Sequence, residues 1–328
     1  AKDGRCKTFS DSADGYVRSE GVGCLLLKSL AQAVQDNDPI YGVLKGSAVN
    51  QDGRSNGITA PNGLSQQSVI KSALANAQIA ADDVQYVEAH GTGTELGDPI
   101  EVSALSKVYR PQTSLAEPLT VGAVKANIGH LESGAGIAGV IKTMLCMQHK
   151  KIPGQAHAKE LNKHIAWHKI ALKINRDLQP WPVGSDNGCI AGVSSFGFGG
   201  TNAHIICASA PQRAVDTIDL ASQTGFYLLP LSAKTPDALA NLLTRYETRL
   251  KSLSDNEFDA LIYTAAHLTK FKEAKRAVCG EDRAGLLRAM RGLNTTSHLS
   301  AAENDKAATN YAIYWSGLAI SCNGKTIV

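Results

Sequence analysis

Apolar positions along the chain follow two rhythms. Short uninterrupted runs bounded by glycine or turn residues read as buried strands, and recurrences every three or four residues read as helix faces. The runs GVGCLLLKSL (21–30) and IYGVLKGSAV (40–49), with the turn QDNDP between them, predict buried strands or a strand with a short helix. Over 62–79, Leu64, Ile70, Leu74 and Ala77 fall near helical spacing. The following ADDVQYVEAHG predicts a short strand running into a glycine loop at 91. A histidine, His90, therefore stands where a strand ends.

The same grammar recurs twice. EPLTVGAVKANIGHLESGAGIAGVIKTMLCMQHKKIPG predicts a strand over 119–124, a loop holding Lys125 and His130, and a buried helix through Cys146. In that helix Ala135, Ala138 and Gly139 permit close approach to neighbours. CIAGVSSFGFGGTNAHIICA (189–208) predicts two apolar strands about a glycine-rich bend. Three strand-end loops can converge on one side of a sheet, where α/β proteins collect ligands. Beyond Pro211, FYLLPLSAKTPDALANLLTRYETRLKSL predicts a strand, a turn at Pro236, and an amphipathic helix carrying Leu239, Leu242, Leu243, Tyr246 and Leu250. LIYTAAHLTK and RAVCGEDRAGLLRAMRGL add helix, strand and helix, a small second α/β unit without glycine loops.

Composition narrows the partners. With 328 residues there is room for one large domain and a smaller one, and a net charge of +3 supplies no field for nucleic acid or an anionic membrane. The longest stretch without formal charge, Asn187 to Gln212, contains five glycines with Asn202 and His204, which a bilayer core disfavours. The opening AKDGRCKTFS has neither a Met nor a signal-like leader and reads as the interior of a longer sequence. Seven cysteines, at 6, 24, 146, 189, 207, 279 and 322, form no C-x-x-C pair, which favours a reducing cytoplasm over a disulfide framework. His164 and His168 in HIAWH have a zinc-compatible spacing but no accompanying third ligand, so no metal is expected.

Taken singly, each loop has an ordinary explanation. GTGT is most often a turn, FGFGG lacks the G-K-[ST] that would complete a phosphate cradle, and a lone histidine is more often packed than catalytic. Taken together they change meaning. His90 in one loop, Lys125 and His130 in a second and FGFGG in a third compose a paired-imidazole site. Acyl chemistry uses such a site, because neutral imidazole N–H groups hold a developing oxyanion without becoming charged.

The segments DGYVRSEG, GSAVNQDGRSNGITAPNG, VEAHGTGTELGDPIE, VKANIGHLESGAGIAG and GVSSFGFGGTNAH resemble, in that order, the β-ketoacyl synthase (ketosynthase) domain of modular type I polyketide synthases. The likeness runs over 1–210. LLPLSAKTPDALANLLTRY resembles the linker between ketosynthase and acyltransferase, placed at 211–308. YAIYWSG resembles the first strand of the acyltransferase, but LAISCNGKTIV departs from that pattern, so 309–328 are either an acyltransferase start or a non-native tail.

This resemblance implies a thiolase-like α/β fold with αβαβα layering, here mainly its second half, and a homodimer when complete. It implies decarboxylative Claisen condensation, in which an acyl-cysteine is attacked by the enolate of a malonyl-type extender. The extender rides on the phosphopantetheine arm of an acyl carrier protein, and no cofactor is bound directly. His90 and His130 match the histidines that hold the extender's thioester carbonyl, Lys125 the lysine that orients the site, and Glu101 an acid tied to it. Thr92 and Thr94 match hydroxyls that bind pantetheine amides; Phe198, with Gly199, matches a gating aromatic with a backbone oxyanion donor.

The family's D-T-A-C-S-S nucleophile has no counterpart here. Neither Cys6 nor Cys24 has the helix-start setting that activates a thiol. Ser10 and Ser19 replace the Asp and Gly usual in the family. The implied reading is a ketosynthase portion lacking its N-terminal half and its downstream acyltransferase. A fatty-acid-type condensing enzyme and a non-catalytic partner resembling a chain-length factor are the alternatives.

Overall fold

In the computed structural model of the chain, residues 1–36, 38–53, 61–111, 118–182, 188–211, 227–267, 271, 273–295, 311–312, 320–322 and 325–327 are described. They divide into two compact units, Ala1–Arg213 and Ala214–Val328.

In the first unit the short apolar runs satisfy their backbone groups in one six-stranded sheet. It contains β1 (Gly42–Gln51), β2 (Tyr86–Glu88), β3 (Leu119–Gly122), β5 (Leu172–Ile174), β7 (Ile190–Phe196) and β8 (Thr201–Ser209), in the order β1-β8-β7-β2-β3-β5. The neighbours from β7 to β5 pair in parallel, whereas β8 is antiparallel to both β7 and β1. Two further short strands, β4 (Lys151–Ile152) and β6 (Gln179–Pro180), pair with each other.

Alternation on the strands sends residues to opposite layers. Val87 and Ala89 join a core with α2 (Gly63–Ala77) and α3 (Gly97–Tyr109), built on Val69, Ile70, Leu74, Val102 and Leu105. Tyr86 joins Val140, Met144 and Met147 of α5 (Ala135–His149) on the other side. Asn62 caps α2 by accepting the N–H groups of Leu64 and Ser65. The buried stripe of α2 is Gln66, Val69, Ile70, Ala73, Leu74 and Ala77, whereas Leu64 is exposed.

Residues 21–30 depart from expectation. They form no buried strand: Val22 and Leu26 are 100% and 99% exposed, and the first helix, α1 (Leu30–Gln35), begins where the run ends. Apolar composition favours burial only where a facing surface exists. Among the described residues this run touches protein on one side, with Gly21 against Leu131 and Gly23 against Ile137. β1 is likewise half-exposed at the sheet edge, with Leu44 and Val49 open. The loop expected to hold Lys125 contains a short helix, α4 (Lys125–Ile128).

The second unit pairs β9 (Tyr227–Ala233) antiparallel with β10 (Ala274–Gly280) beside α6 (Pro236–Leu250), α7 (Asp255–His267) and α8 (Arg283–Thr295). Thr235 caps α6 by accepting the Ala238 N–H, with Pro236 in the first turn. Leu229, Leu231, Leu239, Leu243, Phe258, Val278 and Leu286 form its core. Three short strands follow, β11 (Tyr311–Ala312), β12 (Ile320–Cys322) and β13 (Lys325–Ile327). Most of the expected acyltransferase strand, beyond Ala312, lies outside the described residues.

Candidate active site

Because β2, β3 and β7 are parallel, their C-terminal ends open on one edge of the sheet. His90 follows β2, Lys125 and His130 follow β3, and Phe196 is the last residue of β7. The loops meet there. The rings of His90 and His130 lie 5.3 Å apart, edge to face, and Phe196 lies 5.5 Å from His90. Tyr16 covers His130 at 5.3 Å.

Each imidazole is oriented by a backbone amide. The Phe196 N–H donates to His90 Nδ1 at 3.3 Å, and the Glu132 N–H donates to His130 Nδ1 at 2.9 Å. A neutral imidazole that accepts at Nδ1 carries its proton on Nε2. Burial, the Lys125 charge and the neighbouring His130 hold His90 well below its ordinary range. Burial and Lys125 bring His130 down to about 4. At neutral pH the site therefore presents two uncharged Nε2–H donors. Glu132 adopts the left-handed φ of 53° to deliver its amide.

The HGTGT loop is held from beneath by two carboxylates one helical turn apart on α3. Glu101 accepts the N–H groups of His90 and Gly91 at 2.7 and 2.8 Å; Asp98 accepts those of Phe9 and Gly93 at 2.7 and 3.1 Å. Burial pushes Glu101 up to about 7 and Asp98 up to about 6, against the opposing pull of those amides. Lys125 is also buried, and burial lowers its ammonium while Glu88 and Glu101 pull it back up. Gly93 has φ +77°, and a Cβ there would sit 2.9 Å from the Lys7 backbone nitrogen, so this position requires glycine.

Thr92 and Thr94 place their hydroxyls 3.3 Å apart, and Thr94 Oγ1 also accepts the Gly97 N–H. Both residues keep partial exposure. Phe198 stands at the tip of the 197–200 bend and is 69% exposed, with Gly199 exposed beside it. The aromatic brought against His90 is Phe196. Sequence reading missed Phe196, Tyr16, Glu132 and Asp98. Only Asp98 carried a readable signal, its i, i+3 relation to Glu101 in GDPIE.

Cys6 is buried, its Sγ accepts the Val17 N–H at 3.2 Å, and burial pushes its thiol up. Cys24 lies in the exposed run, and no group of three or more His, Cys, Asp or Glu among the described residues could hold a metal ion.

Three family models cover successive parts of the chain. The beta-ketoacyl synthase N-terminal domain matches 1–33, the beta-ketoacyl synthase C-terminal domain 41–159, and the ketoacyl-synthetase C-terminal extension 162–277. Erythronolide synthase EryA2 of Saccharopolyspora erythraea is 45% identical over 288 residues, 87% of this chain and 8% of that protein. Polyketide synthase GfsA of Streptomyces halstedii is 42% identical over 301 residues, 89% of this chain and 4% of that protein. The solved ketosynthase from module 6 of the bacillaene synthase of Bacillus subtilis 168 superposes with a TM-score of 0.76 at 35% identity, covering 90% of this chain and 51% of that one. The chain thus spans about half the length of that ketosynthase. Its fold is thiolase-like α/β, and the chain belongs to the β-ketoacyl synthase family, of which it carries the C-terminal domain and its extension.

Proposed function

We propose that this chain supplies the extender half of a polyketide synthase ketosynthase. The observation that carries the reading is the pair of neutral imidazoles, each fixed by a backbone amide as an Nε2–H donor. A malonyl thioester on an acyl carrier protein binds with its carbonyl oxygen between these donors. The bond to the carboxylate breaks, carbon dioxide leaves, and the electron pair passes into an enolate whose oxygen the two N–H groups hold. The enolate carbon then attacks an acyl-cysteine carbonyl, and the thiolate departs as the new carbon–carbon bond forms. No proton transfer from the imidazoles is needed, so neutral rings suit the task better than imidazolium.

The acyl-bearing cysteine comes from an N-terminal half of the ketosynthase, because the D-T-A-C-S-S motif has no counterpart in this sequence and Cys6 is buried with its thiol pushed up. Thr92 and Thr94 hold the pantetheine amides, Lys125 and Glu101 maintain the electrostatics of the loops, and Phe198 with Gly199 lines the acyl side in the assembled enzyme. Residues 1–210 act as the ketosynthase portion, 211–308 as the linker, and 309–328 as an acyltransferase start or non-native tail. The complete enzyme works as a cytoplasmic homodimer. No helix among the described residues is long and apolar enough to cross a membrane.

The test is co-expression with an N-terminal half bearing the D-T-A-C-S-S loop. His130→Ala should lower malonyl-carrier decarboxylation by ~10²–10³-fold, the usual loss of one oxyanion donor, while self-acylation of the cysteine persists. Decarboxylation near the parent rate would refute the role. A partner resembling a chain-length factor would support no decarboxylation with or without His130.

A further inference from the structure

Beneath the two histidines lies a carboxylate that the proposed chemistry does not use. Glu88 on β2 is 1% exposed and two residues before His90. Its Oε1 accepts the Val124 N–H at 2.6 Å; its Oε2 accepts from Tyr86 OH at 2.6 Å and Lys142 Nζ at 2.7 Å. Lys142, on α5, also donates to Tyr86 OH at 2.8 Å. The helix comes this close because residue 139 is glycine, where a Cβ would lie 3.1 Å from Glu88 Cγ.

One side chain thus joins three elements: the strand that leads into His90, the turn that enters α4 and leads to His130, and the long helix behind them. We propose that Glu88 is a positioning residue that, through its bond to the Val124 N–H, fixes the Lys125–His130 segment relative to His90.

The physical reason lies in what α4 lacks. A helix of four residues cannot sustain itself, so its entry amide needs an external acceptor. Glu88 provides that acceptor from the adjacent strand, which locks one histidine loop to the other. Stability alone does not demand an ion pair here, because a well-packed apolar pair commonly does as well. An apolar residue, however, cannot accept the Val124 N–H. The charge has a second use. Lys125 is influenced by Glu88 on β2, Glu101 on α3, Cys6 on the N-terminal segment and Lys142 on α5, and Glu88 is the strongest influence that favours its charged form. The catalytic side of this role rests on the ketosynthase reading; the mechanical side does not.

Hydrogen–deuterium exchange on the chain itself tests the mechanical side at low concentration. Glu88→Leu should speed exchange within 122–131 by about tenfold or more while 190–209 stays within about twofold of the parent, as expected for a local opening. Glu88→Gln keeps a side-chain carbonyl to accept the Val124 N–H and should remain within about threefold of the parent at 122–131. The idea is overturned if Leu leaves 122–131 protected, if both segments open alike, or if Gln behaves as Leu. Should the Leu variant fail to fold, Lys142→Met decides instead: it frees α5 but leaves the Val124 bond, so 135–149 should loosen and 122–131 should not. Loosening at 122–131 in that variant would sink the proposal.

In the reassembled enzyme, Glu88→Leu should lower kcat for decarboxylation about tenfold or more with KM within about threefold, because the donors are misplaced rather than the arm released. An unchanged kcat overturns the catalytic side. A parent enzyme that fails to decarboxylate while the exchange pattern holds defeats the ketosynthase reading and leaves the tie standing.

Discussion

His130 shows how much a single backbone amide decides. Its Nδ1 is occupied by the Glu132 N–H, and burial with Lys125 brings the ring down to about 4. The ring therefore remains an uncharged donor through the whole range in which a free histidine would titrate. Followed by NMR in the reassembled enzyme, the His130 ring should accordingly stay neutral down to about pH 5. A His130 midpoint near about 6.5 would show that it titrates as a solvated group. The residue type was legible in NIGH, as were His90 and Lys125, because chemistry of this kind needs few side-chain types. What fixes the tautomer was not legible, since any residue could supply an amide at 132 and only the backbone's left-handed turn aims it.

At the level of elements, the strand–loop–helix succession was readable because apolar period and glycine punctuation agree over 62–79, 119–146 and 189–208. The run 21–30 misled because hydrophobicity reports a preference for contact, not the location of the contacting surface. A buried polar contact between elements was also invisible in sequence. His204 of β8 meets Tyr109 of α3 at 2.6 Å and Ser194 of β7 at 2.9 Å, and is fully buried, which lowers its ring to about 3. An unfolded histidine titrates near 6.5, so the unfolded chain binds the extra proton first as pH falls. The neutral-state stability is whole above that value and is lost progressively toward pH 3, by about 3 kcal/mol at pH 4. His204→Asn should cost about 1–3 kcal/mol at pH 7 through the two hydroxyls left without partners. It should also lose less between pH 7 and 4 than the parent does. Urea melts of both proteins at the two pH values measure this, and parallel losses would contradict it.

For the whole molecule, the decisive surface is the outer side of α5. Val22, Ile128, Leu131, Ile137, Ile141, Leu145 and Leu178 line a groove of about 620 Å³ there, and Leu26 and Leu27 of the 21–30 run are exposed as well. An apolar face of this kind drives association. The lone chain should therefore bind a hydrophobic dye and show concentration-dependent assembly in light scattering, and co-expression with the N-terminal half should suppress both. A monomer that stays dispersed at high concentration without that half would contradict the covering of this face by that half. The distance of His130 from the sheet has a different consequence. His90 follows β2 almost directly, whereas His130 lies eight residues past the end of β3, beyond α4, and their rings stand 5.3 Å apart. Main-chain pairing fixes the strands, but the interval between the donors is set by the loop and by the Glu88 bond that holds its entry. An inhibitor built to bridge both rings would therefore meet resistance from substitutions at that tie as well as from those that remove a histidine, and both kinds impair the enzyme with the inhibitor's site.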